Sequence, residues 1–329
     1  MNKKIGWVVV VVVVLIVLGF WYNNSRNNQP LETTKVKIAY LSVVNTLPMA
    51  LAIEKGYFKD AGLDVEAIKF EAPNQIVDAI MQDKIDFIAS AVTAVGAIAD
   101  SKNPGKMKIF SVSGGTSDVP NEDLLVAASS TISSYKDLKG KKIAIMAGSI
   151  QWKIAAKDIL AKNGLDMDKD VTIVELANGL QLQALATKQV DALLLALEPL
   201  PTIGVSSGVA RILVKGPAEN LIADPFYPGA GWVNTNFAKE NPRTTKLVIS
   251  ILDKATKEIV NNPEASRAYL KGYTTLTDEL ISKVPLTIFK SCEDLTVKDK
   301  VALQDFLDIY TTYKVVDSKI NLENLLYCK

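Results

Sequence analysis

The chain contains no histidine. That absence removes the usual general base at neutral pH and the commonest metal ligand, so Ser-His-Asp and Cys-His chemistry are both excluded. An excess of charge of either sign is missing as well: 37 Lys and Arg stand against 36 Asp and Glu, for a net charge of +1. Nothing there points to nucleic acid or to a strongly acidic partner, and a small ligand held by local groups is the better expectation. Cysteine is nearly absent, with Cys292 and Cys328 the only two. In an exported chain these could pair and tie the tail to the body, or both could stay free; the sequence leaves the two readings open.

What is present is 329 residues of ordinary globular composition, 48% hydrophobic and 22% charged, enough for two domains with proper cores. The first 35 residues stand apart. Lys3 and Lys4 precede an apolar stretch over 6–22 that includes an unbroken valine run over 8–14. Its length is near the ~18–20 residues that span a bilayer, and no small-x-small cleavage site follows it. Residues 1–22 therefore read as an uncleaved signal anchor, the alternative being a cleaved signal peptide. Lys3 and Lys4 would lie inside, with the globular part outside the cytoplasm and the chain single-pass in the cell membrane. Residues 23–35 read as a polar linker.

The remainder says nearly the same thing twice. Lys37-Ile38-Ala39, Gly62-Leu63-Asp64 and Lys84-Ile85-Asp86 are matched by Lys142-Ile143-Ala144, Gly164-Leu165-Asp166 and Gln189-Val190-Asp191. Ile38 to Asp86 and Ile143 to Asp191 have the same separation, 48 positions. Each copy reads strand, helix, strand, helix, strand, which makes the fold class α/β with parallel sheets. Such units place the loops after their strands, and the starts of the following helices, at the carboxyl edge where open α/β sheets bind ligands. Two such edges facing each other form a clamp.

Strands are expected over 36–41, 63–70, 87–89 and 107–112, and in the second copy over 142–146, 171–175, 192–196 and 211–214. Helices are expected over 48–56, 74–82, 93–99, 151–162 and 180–187. A crossing strand over 124–128 and a Gly/Pro-rich passage over 225–232 read as the two excursions that form a hinge. From Asn241-Pro242 the chain is expected to be mostly helical to its end.

The strand ends supply the candidate ligand contacts. Asn45 and Thr46 precede a helix whose free N–H groups favour an anion, with simple N-capping as the alternative. Ser90 and Thr93 follow the third strand, and Ser113 and Gly114 end the fourth, with a tight turn as the alternative. Gly148 and Ser149 stand where the Ile143 strand meets a helix, and can hold an oxyanion without a formal positive charge. Gln151 and Trp152 open that helix; Trp152 either stacks on a ligand or packs. Glu198 before Pro199 either caps a helix or receives an amine or ring N–H. Trp232, with Tyr227, is a candidate aromatic wall. None of these residues is cationic. A nitrate or bare sulfonate could rely on helix N-termini and hydroxyls, but Glu198 lining the pocket disfavours a purely anionic solute, and a zwitterion or an amino-bearing heterocycle fits both features. No metal or cofactor is implied.

The ordered run Ala50, Glu54, Gly56-Tyr57-Phe58-Lys59-Asp60-Ala61-Gly62-Leu63-Asp64-Val65-Glu66 resembles substrate-binding proteins of ABC importers in the nitrate, sulfonate, taurine and thiamine-precursor group. So do Asp137-Leu138-Lys139-Gly140-Lys141-Lys142-Ile143-Ala144 with Gly148-Ser149, Asp191-Ala192 with Glu198-Pro199, and Asn241-Pro242. The resemblance covers residues 36–290. It implies a type 2 periplasmic-binding-protein fold, with one lobe from 36–124 and 228–329 and the other from 125–227. It also implies a small organic solute as ligand, and as partners an ABC permease and its ATPase. A membrane-tethered solute sensor is the alternative. A related pyrimidine-synthesising enzyme family implies histidine-dependent chemistry, from which this chain departs.

Overall fold

The computed structural model describes residues 30–90 and 92–328. The expected anchor over 1–22 and the linker as far as residue 29 lie outside the described residues. Among the described residues no helix is long and apolar enough to cross a membrane.

Both copies of the repeat fold the same way. In the first, β1 (Lys35–Leu41) pairs in parallel with β2 (Asp64–Phe70) and β3 (Phe87–Ile88), with helices α1 (Leu47–Glu54) and α2 (Pro73–Met81) between them. Helix α3 (Thr93–Lys102) follows β3 and leads to β4 (Met107–Gly115). The chain then crosses to β5 (Glu122–Ala127). It continues through β6 (Lys142–Met146), α4 (Ile150–Lys162), β7 (Thr172–Leu176), α5 (Asn178–Ala186), β8 (Ala192–Leu197), α6 (Leu200–Ser206) and β9 (Ala210–Lys215). A second crossing, which includes the short helix α7 (Pro217–Leu221), returns it to β10 (Phe226–Asn234).

The sheet orders show the duplication. One reads β2-β1-β3-β10-β4-β11 and the other β7-β6-β8-β5-β9. In each, the fourth place is an antiparallel strand that arrives from the other half, β10 in the first and β5 in the second. The same local bonds recur. Asp86 Oδ2 accepts from Lys37 N at 2.8 Å, and Asp191 Oδ2 accepts from Lys142 N at 2.8 Å. Gly62 and Gly164 end their turns at φ +75° and +77°, a conformation that an L side chain adopts only under strain.

The Gly/Pro-rich passage over 225–232 forms a strand, β10, and the mostly helical tail is interrupted by one short strand, β11 (Ile288–Ser291). Ser113 and Gly114 stand at the end of β4, and the tight-turn alternative does not form. Glycines let β10 approach its neighbours. A Cβ on Gly114 would fall 1.9 Å from Phe226 O, and one on Gly231 would fall 2.3 Å from Ser111 Oγ. Pro228, which cannot donate in a central strand, sits where the register slips between the Phe226–Gly115 and Gly229–Ser113 pairs.

Helix α8 (Pro242–Asn261) buries Val248, Ile251, Leu252, Ala255 and Ile259, a helical stripe set over the first sheet. Helix α9 (Val297–Thr312) reaches both halves. Phe306 packs edge-on to Phe226 at 4.6 Å, while Tyr310 OH donates to Gln151 O at 3.3 Å and Tyr313 OH to Asp158 Oδ1 at 3.1 Å. The cysteines are bonded: Cys292 is joined to Cys328, and the tail beyond α9 runs beside β4, with Tyr327 N donating to Ile109 O at 2.8 Å.

Candidate functional site

The carboxyl edges of the two sheets face each other and are in contact. Three main-chain segments of the first half meet the second directly. Val44 N donates to Glu198 O at 3.4 Å, Asn74 N to Gly148 O at 3.2 Å, and Ala94 N to Gln151 Oε1 at 2.8 Å. Gln151 is the best-connected side chain at this seam, since its Nε2 also donates to Pro228 O at 3.0 Å. That carbonyl is available because the slip in β10 turns it out of the ladder. Ala94 N belongs to the first turn of α3, one of the N–H groups a helix cannot satisfy internally. The Gln151 carboxamide oxygen thus occupies the acceptor position at this helix start.

On the first edge Asn45, Ser90 and Ser113 converge. Asn45 Nδ2 donates to Ser113 Oγ at 2.9 Å, and the Ser90 and Ser113 hydroxyls bond each other. Gly229 of β10 closes this group from below, where a Cβ would meet Ser113 Oγ at 2.3 Å and Ser90 Oγ at 2.8 Å. All three side chains border a cavity of about 30 Å³ that extends to Leu252 and Phe289, room for one or two waters. Thr93, fully buried at the start of α3, has a hydroxyl with no partner. Thr46 is turned inward and donates to Leu41 O at 3.0 Å.

On the second edge Gly148 adopts φ +68°, and a Cβ there would lie 2.5 Å from Asn74 Oδ1 across the seam. Ser149 is the N-cap of α4, its Oγ accepting from Trp152 N at a long 3.5 Å. Trp152 is 1% exposed and packs on Phe226 at 6.3 Å, so it is core rather than a free stacking surface. Trp232 is also interior: it pairs with Ile88 in the first sheet and leans on Gly96, whose Cβ would meet its ring at 2.6 Å. Gly114 faces Phe226 O and not the seam. Glu198 turns toward its own helix, Oε2 accepting from Thr202 N at 3.3 Å. Burial pushes its carboxyl up to about 7, helped by the nearby charge of Asp123.

The structure therefore brings Asn45, Ser90, Thr93, Ser113, Gly148, Ser149 and Gln151 to the facing edges. It withdraws Thr46, Gly114, Trp152 and Trp232 into the packing. Three contributors lay outside the sequence expectation: Asn74, Pro228 and Gly229. A proline flanked by glycine in a Phe-Tyr-Pro-Gly run was the available signal for the last two.

Comparison with known proteins agrees with this architecture. Residues 43–266 match the family described as NMT1/THI5 like. A putative aliphatic sulfonates-binding protein of Bacillus subtilis (strain 168) is 28% identical over 291 residues, covering 85% of this chain and 82% of that one. A 4-amino-5-hydroxymethyl-2-methylpyrimidine phosphate synthase of Candida albicans is 24% identical over 251 residues, 72% of this chain and 70% of that one. Among solved structures, the alkanesulfonate-binding protein SsuA from Xanthomonas axonopodis pv. citri, bound to MOPS, superposes with a TM-score of 0.71 at 21% identity. It covers 91% of this chain and 99% of its own. With most of its globular part matched by the family and the two-sheet arrangement matched by the solved structure, the chain belongs to the NMT1/THI5-like family.

Proposed function

We propose that this chain is the extracytoplasmic solute-binding subunit of an ABC importer. It closes two lobes on a small organic solute, a sulfonate, a taurine-like zwitterion or an aminopyrimidine, and delivers it to a permease with its ATPase. The observation that carries the reading is the seam itself: two duplicated α/β edges meet through Gln151, Gly148 and Asn74, with hydroxyl and amide groups from both sides. A ligand that touches both edges has more contacts in the closed form than in the open one and shifts the population toward closure. The lobes in this reading comprise 36–124 with 228–329, and 125–227; residues 1–22 hold the protein at the membrane near its permease. The relative named for aliphatic sulfonates supports the anionic end of the ligand range. Enzymatic turnover finds no support in a chain without histidine.

Thermal unfolding of the full-length chain against sulfonates, taurine, nitrate, aminopyrimidines and amino acids tests this. At a hundredfold excess over its dissociation constant, a ligand adds about 2.7 kcal/mol, a shift of several degrees. Stabilisation by one chemical class, weakened in Ser90→Ala and Gln151→Ala, is the expected result. Stabilisation that both variants leave unchanged would remove the seam as the binding site, and silence across the panel would overturn the ligand range.

A further inference from the structure

The two segments that cross between the sheets, 116–121 outward and 216–225 on the return, are locked to each other by acidic side chains. Glu122 Oε1 accepts from Ala218 N at 2.9 Å, and Glu219 Oε1 accepts from Asn121 N at 2.9 Å, so each carboxyl holds the backbone of the opposite segment. Glu122 is 1% and Glu219 3% exposed. Their second oxygens are buried and have no hydrogen-bond partner, and because each carboxyl is bonded to the residue next to the other glutamate, the two are set side by side. Gly115 and Gly216 leave the room for this, since a Cβ on either would fall 2.3 Å and 3.1 Å from the Glu219 carboxyl oxygens.

Two carboxylates in contact in a site without a cation cannot both be charged; one proton must sit between them. The surroundings add no compensation. From β5 comes Asp123, whose Oδ1 accepts from Gly216 N at 3.3 Å, and from the end of β8 comes Glu198, within reach of the charge on Asp123. The turn Tyr135–Leu138 presents the unpartnered hydroxyl of Tyr135. Lys215 acts on Asp123 from the end of β9, and Lys162 is engaged by Asp158 and the carbonyl of Leu221 beyond α7. Asp224 is occupied by Ser117. Among the described residues no group of three or more acidic, Cys or His side chains has the geometry to hold a metal.

We propose that Glu122 and Glu219 share one proton across the two interlobe segments, and that its release to water converts a rigid hinge into a loose one. With the proton in place the pair is a carboxyl donating to a carboxylate; without it, two buried anions face each other across the crossing. Burial, with Glu219 beside it, pushes the Glu122 carboxyl well up, and burial pushes Glu219 up to about 7. A group whose proton is held more tightly in the folded state stabilises that state at low pH and loses the contribution as pH rises through its folded value. The hinge is therefore stiff near pH 5 and slack near pH 8.

Pulsed dipolar spectroscopy on the full-length chain, with spin labels at the exposed positions of Lys59→Cys and Lys169→Cys, reads the separation of the two halves. The expected result is a narrow distance distribution at pH 5 that broadens and lengthens at pH 8. In Glu219→Gln, whose amide can donate to Glu122 at any pH, it stays narrow at both. Glu122→Gln provides the same reading should the first variant not fold, and Glu198→Gln should broaden as the parent does. Superimposable distributions at the two pH values in the parent overturn the proposal. So does broadening in both pair variants as large as in the parent, or its loss in Glu198→Gln.

Discussion

The two halves share a strand order and even a hydrogen bond, yet they differ in the strand each receives from the other. The second half takes in β5, Glu122–Ala127, whose Leu124, Leu125 and Val126 are fully buried without a glycine among them. The first takes in β10, which carries Gly229 and Gly231 and a proline, and it packs polar Asn45, Ser90 and Ser113 against that strand where the second has leucine. The first half also gains β11, the C-terminal brace and the Cys292–Cys328 bond. Duplication thus preserved the frame while the received strand set what packs against it, leucine and valine in the second half and a hydroxyl and amide cluster in the first. The half that holds this cluster is the one that carries the covalent tie.

The sharpest way to break that asymmetry is to remove the ties. Reduction of Cys292–Cys328, which closes a loop over a separation of 36 residues, should cost about 3–4 kcal/mol in the chain-entropy account. Urea unfolding with and without reductant measures it. Amide exchange should quicken at Ile109 and Tyr327 and stay unchanged at Ile143 in the second sheet; equal loss in both sheets would mean that the brace serves the whole molecule.

The next largest effect concerns Asp299, which fastens β10 to α9. Burial works against its charge. Lys290, the Tyr227 hydroxyl and the Thr296 N–H and hydroxyl nonetheless outweigh that and hold its carboxyl down to about 2. A lowered value means that the stabilisation is complete above the ordinary aspartate range and is lost as pH falls through about 2. It amounts to about 2 kcal/mol. Asp299→Asn should remove most of this at pH 5 and little near pH 1.5, as read from unfolding midpoints. The contrast with Glu122 and Glu219 is instructive: burial is common to both sites, and the number of donors decides which way each carboxyl moves. Of similar size, Gly229→Ala forces a methyl against Ser113 and Ser90 and should cost about 1–3 kcal/mol. An unchanged midpoint would show that the hydroxyl cluster is loose.

The duplication was legible in the sequence because Asp86 and Asp191 return to their own first strands by the same bond, and because Gly62 and Gly164 both need a left-handed turn. Strands β10 and β11 were not. Glycine and proline in Phe226–Asn234 obey the close approach of Ser111, Ser113 and Phe110, side chains more than a hundred positions earlier, and local propensity reads the same residues as a loop. The candidate site divided along the same line. Ser90, Ser113 and Gln151 follow from their places at strand ends and helix starts, which is local information. Whether Trp152 and Trp232 stack on a ligand or fill the core depends on Phe226 and Gly96, which is not. Asn74 carries no sequence signal because its role is a main-chain bond to Gly148, which any residue but proline could make.

The smallest expected effect compares the halves most directly. Asp86→Ala and Asp191→Ala each delete an acceptor for an N–H near the start of a strand, Lys37 in one half and Lys142 in the other, at the same distance of 2.8 Å. Each should cost about 1 kcal/mol, since both sites are only half-buried and water can replace part of the lost bond. If the repeat is energetic as well as geometric, the two losses agree within experimental error at neutral pH. Acid separates them in a stated direction for Asp86. Burial raises its carboxyl despite the Lys37 N–H, so its contribution is largest below the ordinary aspartate value and declines as pH rises through the folded one. The penalty for Asp86→Ala should accordingly be greater at pH 3.5 than at pH 7, in urea titrations at the two pH values. A penalty that instead grew with pH would show the bond to Lys37 outweighing burial, and the bond would then be worth more in the first half than its length implies.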